Sequence, residues 1–159
     1  MTLFKRFIML LACVACCTGA AFAADTPQRP NFVLILLDDA ALMDLGAFGA
    51  EARTPTIDAL ATSGAMVTNY HTSPLCSPSR AMLLTGIDNH KTGVSTIEEV
   101  LPPELEGKPG YSLRLEPGVV TVATRLKKAG YRTSMAGKWH LGHGEADLPS
   151  AHGFDRSLA

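Results

Sequence analysis

The residue types that could do chemistry fall into three short groups, and the first surrounds a cysteine. In Pro74-Leu75-Cys76-Ser77-Pro78-Ser79-Arg80, continued by Ala81-Met82-Leu83-Leu84-Thr85-Gly86, Cys76 immediately precedes a predicted helix start. Amides at a helix start favour negative charge, and Arg80 returns toward the same end one turn later if the helix begins near Pro78. Such a place suits a thiolate. The same residues would equally make a helix cap with a buried thiol and a solvent-facing arginine. The second group is Asp38-Asp39, just after a predicted strand. Binding crevices of parallel α/β sheets lie at the carboxyl ends of strands, and paired carboxylates there suit a hard cation such as Ca2+ or Mg2+. An ordinary solvated acidic turn is the plainer alternative. The third group is Lys138-Trp139-His140. If extended geometry continues past Gly137, Lys138 and His140 share a face, where a cation and an imidazole could hold an oxyanion and move a proton. Otherwise they form a polar strand end with Trp139 packed inward.

These groups must be carried by regular elements. Residues 31–37 form a continuous apolar run containing Val33 and Ile35, bounded by Pro30 and Asp38, which predicts a strand buried on both faces. A short amphipathic helix follows Thr54, with Pro55 at its first position, Ile57, Leu60 and Ala61 on one face, and a stop at Gly64. Residues 66–70 read as a second strand, and residues 79–84 as a helix entered through Pro78 and ended near Gly86. Between residues 89 and 120, Pro102, Pro103, Pro109, Gly110 and Pro117 predict a long surface excursion with no assigned element. Helical spacing resumes over residues 121–129 through Val122, Leu126 and Ala129, with Lys127 and Lys128 in the last turn and Gly130 as the stop. Residues 131–136 read as a third strand. Alternating strands and helices give an α/β class, with neither a repeat nor a low-complexity tract.

The amino terminus has a different character. Lys5 and Arg6 precede an apolar run over residues 7–17, and Ala21-Phe22-Ala23 supplies a small-x-small cleavage pattern. Residues 1–23 are therefore expected to be a signal peptide, with the mature chain starting at Ala24 and the product periplasmic or secreted. A lipoprotein reading, with Leu10-Leu11-Ala12 before Cys13, would leave too short an apolar region and ignore the better downstream site. Cleavage removes Cys13, Cys16 and Cys17, leaving Cys76 unable to form an internal disulfide. Fourteen basic and fifteen acidic residues are interspersed and give a net charge of −1. No nucleic-acid footprint or polybasic membrane patch is present, so any anion must be held by a few placed groups.

Taken together, the three groups resemble the sulfatase family. Cys76-Ser77-Pro78-Ser79-Arg80 resembles the Cys-x-Pro-x-Arg element read by formylglycine-generating enzyme, and its flanks from Pro74 to Gly86 fit the longer family signature. Gly130 to His140 fits the second signature. The tract from Arg29 to Phe154, including Asp88-Asn89-His90 and the stretch from Pro103 to Gly110, is most similar to bacterial arylsulfatases. The resemblance implies an alkaline phosphatase-like α/β sandwich with a mostly parallel central sheet flanked by helices. It implies a sulfate ester substrate and a catalytic group of Cys76, as formylglycine, with Arg80, Lys138 and His140. Arg80 would hold the formylglycine hydrate, Lys138 would also contact the sulfate, and His140 would assist collapse of the hydrate. Asp38, Asp39 and the modified Cys76 would hold Ca2+ or Mg2+.

The family completes its site with an Asp-Asn pair, a second histidine and a second lysine that have no counterpart here, since His143 and His152 lie too early to match. Residues 24–159 are accordingly expected to be a truncated amino-terminal domain, inactive alone. Two rivals stand beside this expectation. One is a phosphate or phosphonate ester hydrolase of the alkaline phosphatase superfamily, and the other is a non-catalytic truncated remnant.

Overall fold

The computed structural model describes residues 28–159, and the expected signal peptide with its three cysteines lies outside the described residues. Two units divide at Leu36 and Leu37. In the first, the described residues 28–36 belong to no helix or ladder, and Phe32, Val33, Leu34, Ile35 and Leu36 are all exposed. The strand expected over residues 31–37, buried on both faces, is therefore not observed. A strand interior to a sheet needs a ladder on each side, and this run has neither among the described residues.

The unit from Leu37 to Ala159 carries all regular elements among the described residues. Helix α1, Pro55–Ser63, follows the expected limits, with Pro55 at the first turn and Gly64 as its cap. Its apolar residues Ile57 and Leu60 are exposed, so the helix is set by local signals rather than by burial. Residues 66–70 are not a strand. They pass through a turn at Thr68-Asn69, with Met66, Val67 and Tyr70 exposed.

Helix α2, Cys76–Thr85, starts three residues earlier than residue 79, at the cysteine itself. Ser77, Pro78, Arg80 and Ala81 form its buried face, and Gly86 ends it in the left-handed region at φ 69°. Residues 89–120 depart most from expectation. Instead of an excursion over the surface, they contain helix α3, Asn89–Thr92, capped by the Asp88 side chain on the amide of His90. Two 3-10 turns follow, Glu98–Val100 and Pro103–Leu105, and Val94 bridges Tyr111 antiparallel. Val94, Leu115 and Thr92 are buried, so the segment's two ends are stitched into the interior while its prolines stay outside.

Helix α4, Val122–Lys128, opens at Thr121, whose hydroxyl accepts from the amide of Thr124 at 3.1 Å. Arg125, Lys127 and Lys128 complement the negative end of its dipole. The third expected strand is shorter than residues 131–136: β1 is Ser134–Ala136, paired in parallel with β2, Arg156–Leu158, in the register Met135 to Ser157. Between them Gly153, at φ 98°, passes so close to the first turn of α4 that a Cβ would collide with the backbone of Thr124. The core of Ala81, Val94, Leu115, Trp139 and Leu141 thus joins α2, the 89–120 segment and the chain leaving β1. No helix among the described residues is long and apolar enough to cross a membrane.

An ion pair fastens α4 to the approach to the sheet. Asp155 accepts from Lys127 Nζ at 2.7 Å and from the amide of Thr133 at 3.0 Å. Lys127 first, and then the Thr133 amide, hold its carboxyl at about 2 instead of 3.8. Because the folded value is depressed, the contribution is complete above the unfolded value and disappears as pH falls from 3.8 toward 2. Urea titrations followed through the fluorescence of the single tryptophan should lose stability across that window, and Asp155→Asn should lower stability at neutral pH while flattening the acid dependence. An unchanged pH slope in Asp155→Asn would show that other carboxylates govern acid unfolding.

Candidate functional site

Five of the six side chains expected from the sequence meet around the start of α2. Cys76 is the first residue of that helix and is partly buried. Lys138 Nζ donates to Cys76 Sγ at 3.4 Å, and His140 Nδ1 lies 3.4 Å from the same sulfur. The expected route to this meeting was a continued strand, and the structure reaches it differently. β1 stops at Ala136, Gly137 takes φ 106°, and His140 takes φ 60°, a left-handed conformation in a residue that bears a Cβ. Alternation of burial nevertheless persists. Trp139 and Leu141 enter the core, which leaves Lys138 and His140 on the side of the cysteine.

Arg80 follows Cys76 by four residues, and its guanidinium is turned inward rather than to solvent. Nη1 donates to the carbonyl of Lys138 at 2.6 Å, and Nη2 pairs with Asp38 Oδ1 at 3.3 Å. Nε is buried without a partner among the described residues. The other oxygen of Asp38 accepts from Lys138 Nζ at 3.0 Å, so one carboxylate bridges the two cations. Asp39 takes a left-handed φ of 57° and joins none of these pairs. Asp38 is thus gathered into the cluster and Asp39 is not.

The electrostatics follow from these contacts. The hydrogen bond from Lys138, and then Arg80, lower the Asp38 carboxyl below its usual range. Hydrogen bonds to Asp38 and then Cys76 raise the Lys138 ammonium. Partial burial, and then the nearby Lys138 charge, lower the His140 imidazole. At neutral pH the cluster therefore holds a fixed ammonium and guanidinium, an ionised carboxylate, and an imidazole that favours its neutral, proton-accepting form.

A divalent cation would find oxygen donors of the right kind in Asp38 and Asp39 but too few of them, because hard ions take six or more oxygens. Among the described residues no three His, Cys, Asp or Glu side chains cluster as a metal shell, and Asp38 is already shared by two cations. The fit on this chain alone is incomplete.

Two contributions were not foreseen from the sequence. Ser77 Oγ donates to the carbonyl of His140 at 2.5 Å, and the Trp139 indole donates to the carbonyl of Asp147 at 2.7 Å. No periodicity signals either one. The available hint was a small hydroxyl residue placed between the cysteine and Pro78 at a helix start.

Comparison with known proteins assigns the chain to a family. The Sulfatase family model matches residues 30–159. The chain is 43% identical over 148 residues to an arylsulfatase from Klebsiella aerogenes, covering 89% of this chain and 30% of that one. It is 42% identical over 140 residues to the human N-acetylgalactosamine-6-sulfatase, covering 84% of this chain and 26% of that one. Among solved structures, Ps i-CgsB superposes with a TM-score of 0.68 at 34% identity, covering 83% of this chain and 29% of its own. The chain therefore spans under a third of the length of the relatives it matches, and its α/β architecture corresponds to the alkaline phosphatase-like fold of its structural neighbours. Matched by the family model along nearly all of its described length, this chain belongs to the sulfatase family.

Proposed function

We propose that the protein hydrolyses sulfate esters, with Cys76 converted by formylglycine-generating enzyme into the formylglycine nucleophile. The convergence of Lys138 Nζ and His140 Nδ1 on Cys76 Sγ, each at 3.4 Å, is the observation that supports this reading most. Family membership supplies the reaction class. The relatives' names point to aryl and amino-sugar esters, so the shared element is the sulfate rather than the alcohol. The signal peptide expected over residues 1–23 adds a periplasmic or secreted location to the proposal.

A hydrated aldehyde offers two hydroxyls: one attacks sulfur and expels the alcohol, and the other, on losing its proton, re-forms the carbonyl and releases sulfate. A serine ester would lack that exit. The residues of this chain divide the remaining work. Lys138, kept positive by Asp38, offsets charge on the sulfuryl oxygens. His140, favouring its neutral form, accepts the proton of the second hydroxyl. Arg80, fixed by Asp38 and the Lys138 carbonyl, holds the hydrate from within the helix. Asp38, Asp39 and the modified residue 76 would be this chain's share of a Ca2+ or Mg2+ shell, and the ion would supply Lewis acidity.

Enzyme made in its native host should show loss of sulfur from the Cys76 peptide by mass spectrometry and should cleave an aryl sulfate. Cys76→Ala should reduce turnover to background, and Lys138→Ala should lower kcat by about 10²–10³. An intact thiol with undiminished ester cleavage would end the formylglycine reading. A parallel phosphate ester assay separates the phosphohydrolase rival, which gains if the phosphate is the faster substrate.

The 159-residue chain alone is proposed to be inactive, since its two carboxylates fall short of the ligands a hard cation takes. Residues 24–159 co-expressed with formylglycine-generating enzyme should give no turnover of the same aryl sulfate. Cys76-dependent turnover by that product would overturn the proposal.

A further inference from the structure

We propose that Ser77 is a positioning residue for His140, acting across helix α2 through the backbone of the segment that carries Lys138 and His140. The inference rests on the sulfatase reading for its kinetic readout but not for its geometry. Ser77 is 3% exposed, and its hydroxyl reaches a residue 63 positions away, donating to the carbonyl of His140 at 2.5 Å. That carbonyl belongs to a residue at φ 60°. A side chain with a Cβ enters the left-handed region only where its surroundings over-determine it.

The surroundings here are specific. Three consecutive residues are each held by a separate hydrogen bond. Arg80 takes the carbonyl of Lys138, the Trp139 indole reaches the carbonyl of Asp147, and Ser77 takes the carbonyl of His140. Ser77 and Arg80 are three residues apart and share the buried face of α2, so one turn of helix clasps the segment at both ends. Trp139 and Leu141, at 6% and 0% exposure, prevent the segment from moving as a whole. The carbonyl that Ser77 holds lies in the peptide between His140 and the buried Leu141, and the orientation of that peptide is coupled to the backbone angles of His140. Without the hydroxyl, His140 can relax toward ordinary backbone angles, which swings its ring away from residue 76. The residue after the cysteine thus has a task distinct from nucleophile formation: it sets where the proton acceptor stands.

The test uses active enzyme produced from the native gene, with Ser77→Ala and Ser77→Thr compared with the parent. Because Ser77 neighbours Cys76, the converted fraction of residue 76 is measured by mass spectrometry for each variant, and rates are expressed per converted site. Ser77→Ala should lower kcat about tenfold with KM unchanged, the scale of one lost hydrogen bond to a positioned group. Ser77→Thr, which keeps the hydroxyl, should recover most of that loss. The crystal structure of the Ser77→Ala enzyme should show His140 outside the left-handed region. Parental kcat per converted site in Ser77→Ala, an equal change in kcat and KM, or an undisplaced His140 would each overturn the proposal. An unmodified residue 76 in fully active parent enzyme would instead defeat the formylglycine reading; rates are then compared per enzyme molecule, and a selective kcat loss in Ser77→Ala on that basis would still support the positioning role.

Discussion

The carboxylate of Asp38 is the constraint on which the site's geometry depends. A guanidinium taken out of water, as that of Arg80 is, needs an anion and hydrogen-bond acceptors around it, or its desolvation is unrecovered. Asp38 supplies the anion and the Lys138 carbonyl supplies an acceptor. The same carboxylate then takes the Lys138 ammonium on its other oxygen, so that two cations share one anion without repelling each other apart. Asp38 is itself partly exposed, and exposed pairs add little net stability. Its contribution is to fix direction: it decides which way two long, flexible cationic side chains point.

This arrangement divides proton occupancy between neighbours. Lys138 is held charged by the groups it donates to, and its charge together with partial burial disfavours a second charge on His140. Two titratable groups on the same sulfur are thereby pushed in opposite directions, which is how a permanent electrostatic stabiliser and a mobile proton acceptor are obtained from adjacent positions. The separation comes from placement along one segment, with Trp139 buried between them as the wedge.

What was legible in the sequence follows the range of the forces involved. Helices α1, α2 and α4 announce themselves through Pro55, Gly86 and Gly130, signals that act within one turn, and they stand within a few residues of their expected limits. The grouping of Cys76, Arg80, Lys138, His140 and Asp38 was legible in residue types and their order, whereas Asp39, singled out on the same grounds, joins none of the cluster's pairs. Two strand readings failed for the opposite reason. Residues 31–37 and 66–70 have strand composition, but a strand exists only when another segment completes its ladder, and composition does not say which segment does so. The 89–120 segment failed differently. Its prolines and glycines mark turns correctly, while Val94 and Leu115 are ordinary apolar residues whose burial depends on contacts far along the chain.

The path from β1 to His140 shows why a correct juxtaposition can come from an incorrect route. Period-two alternation was expected to follow from continued strand geometry, yet the strand ends at Ala136 and positive φ angles intervene at Gly137 and His140. Alternation survives because it is imposed from the core, where Trp139 and Leu141 bury and oblige their neighbours to face outward. A strand would have given the same facing through backbone regularity, but it would not have turned the His140 carbonyl toward Ser77. The left-handed residue is therefore the feature that periodicity cannot encode. It arises from hydrogen bonds made across the fold, and it joins the helix bearing Cys76 to the segment bearing the groups that surround its sulfur.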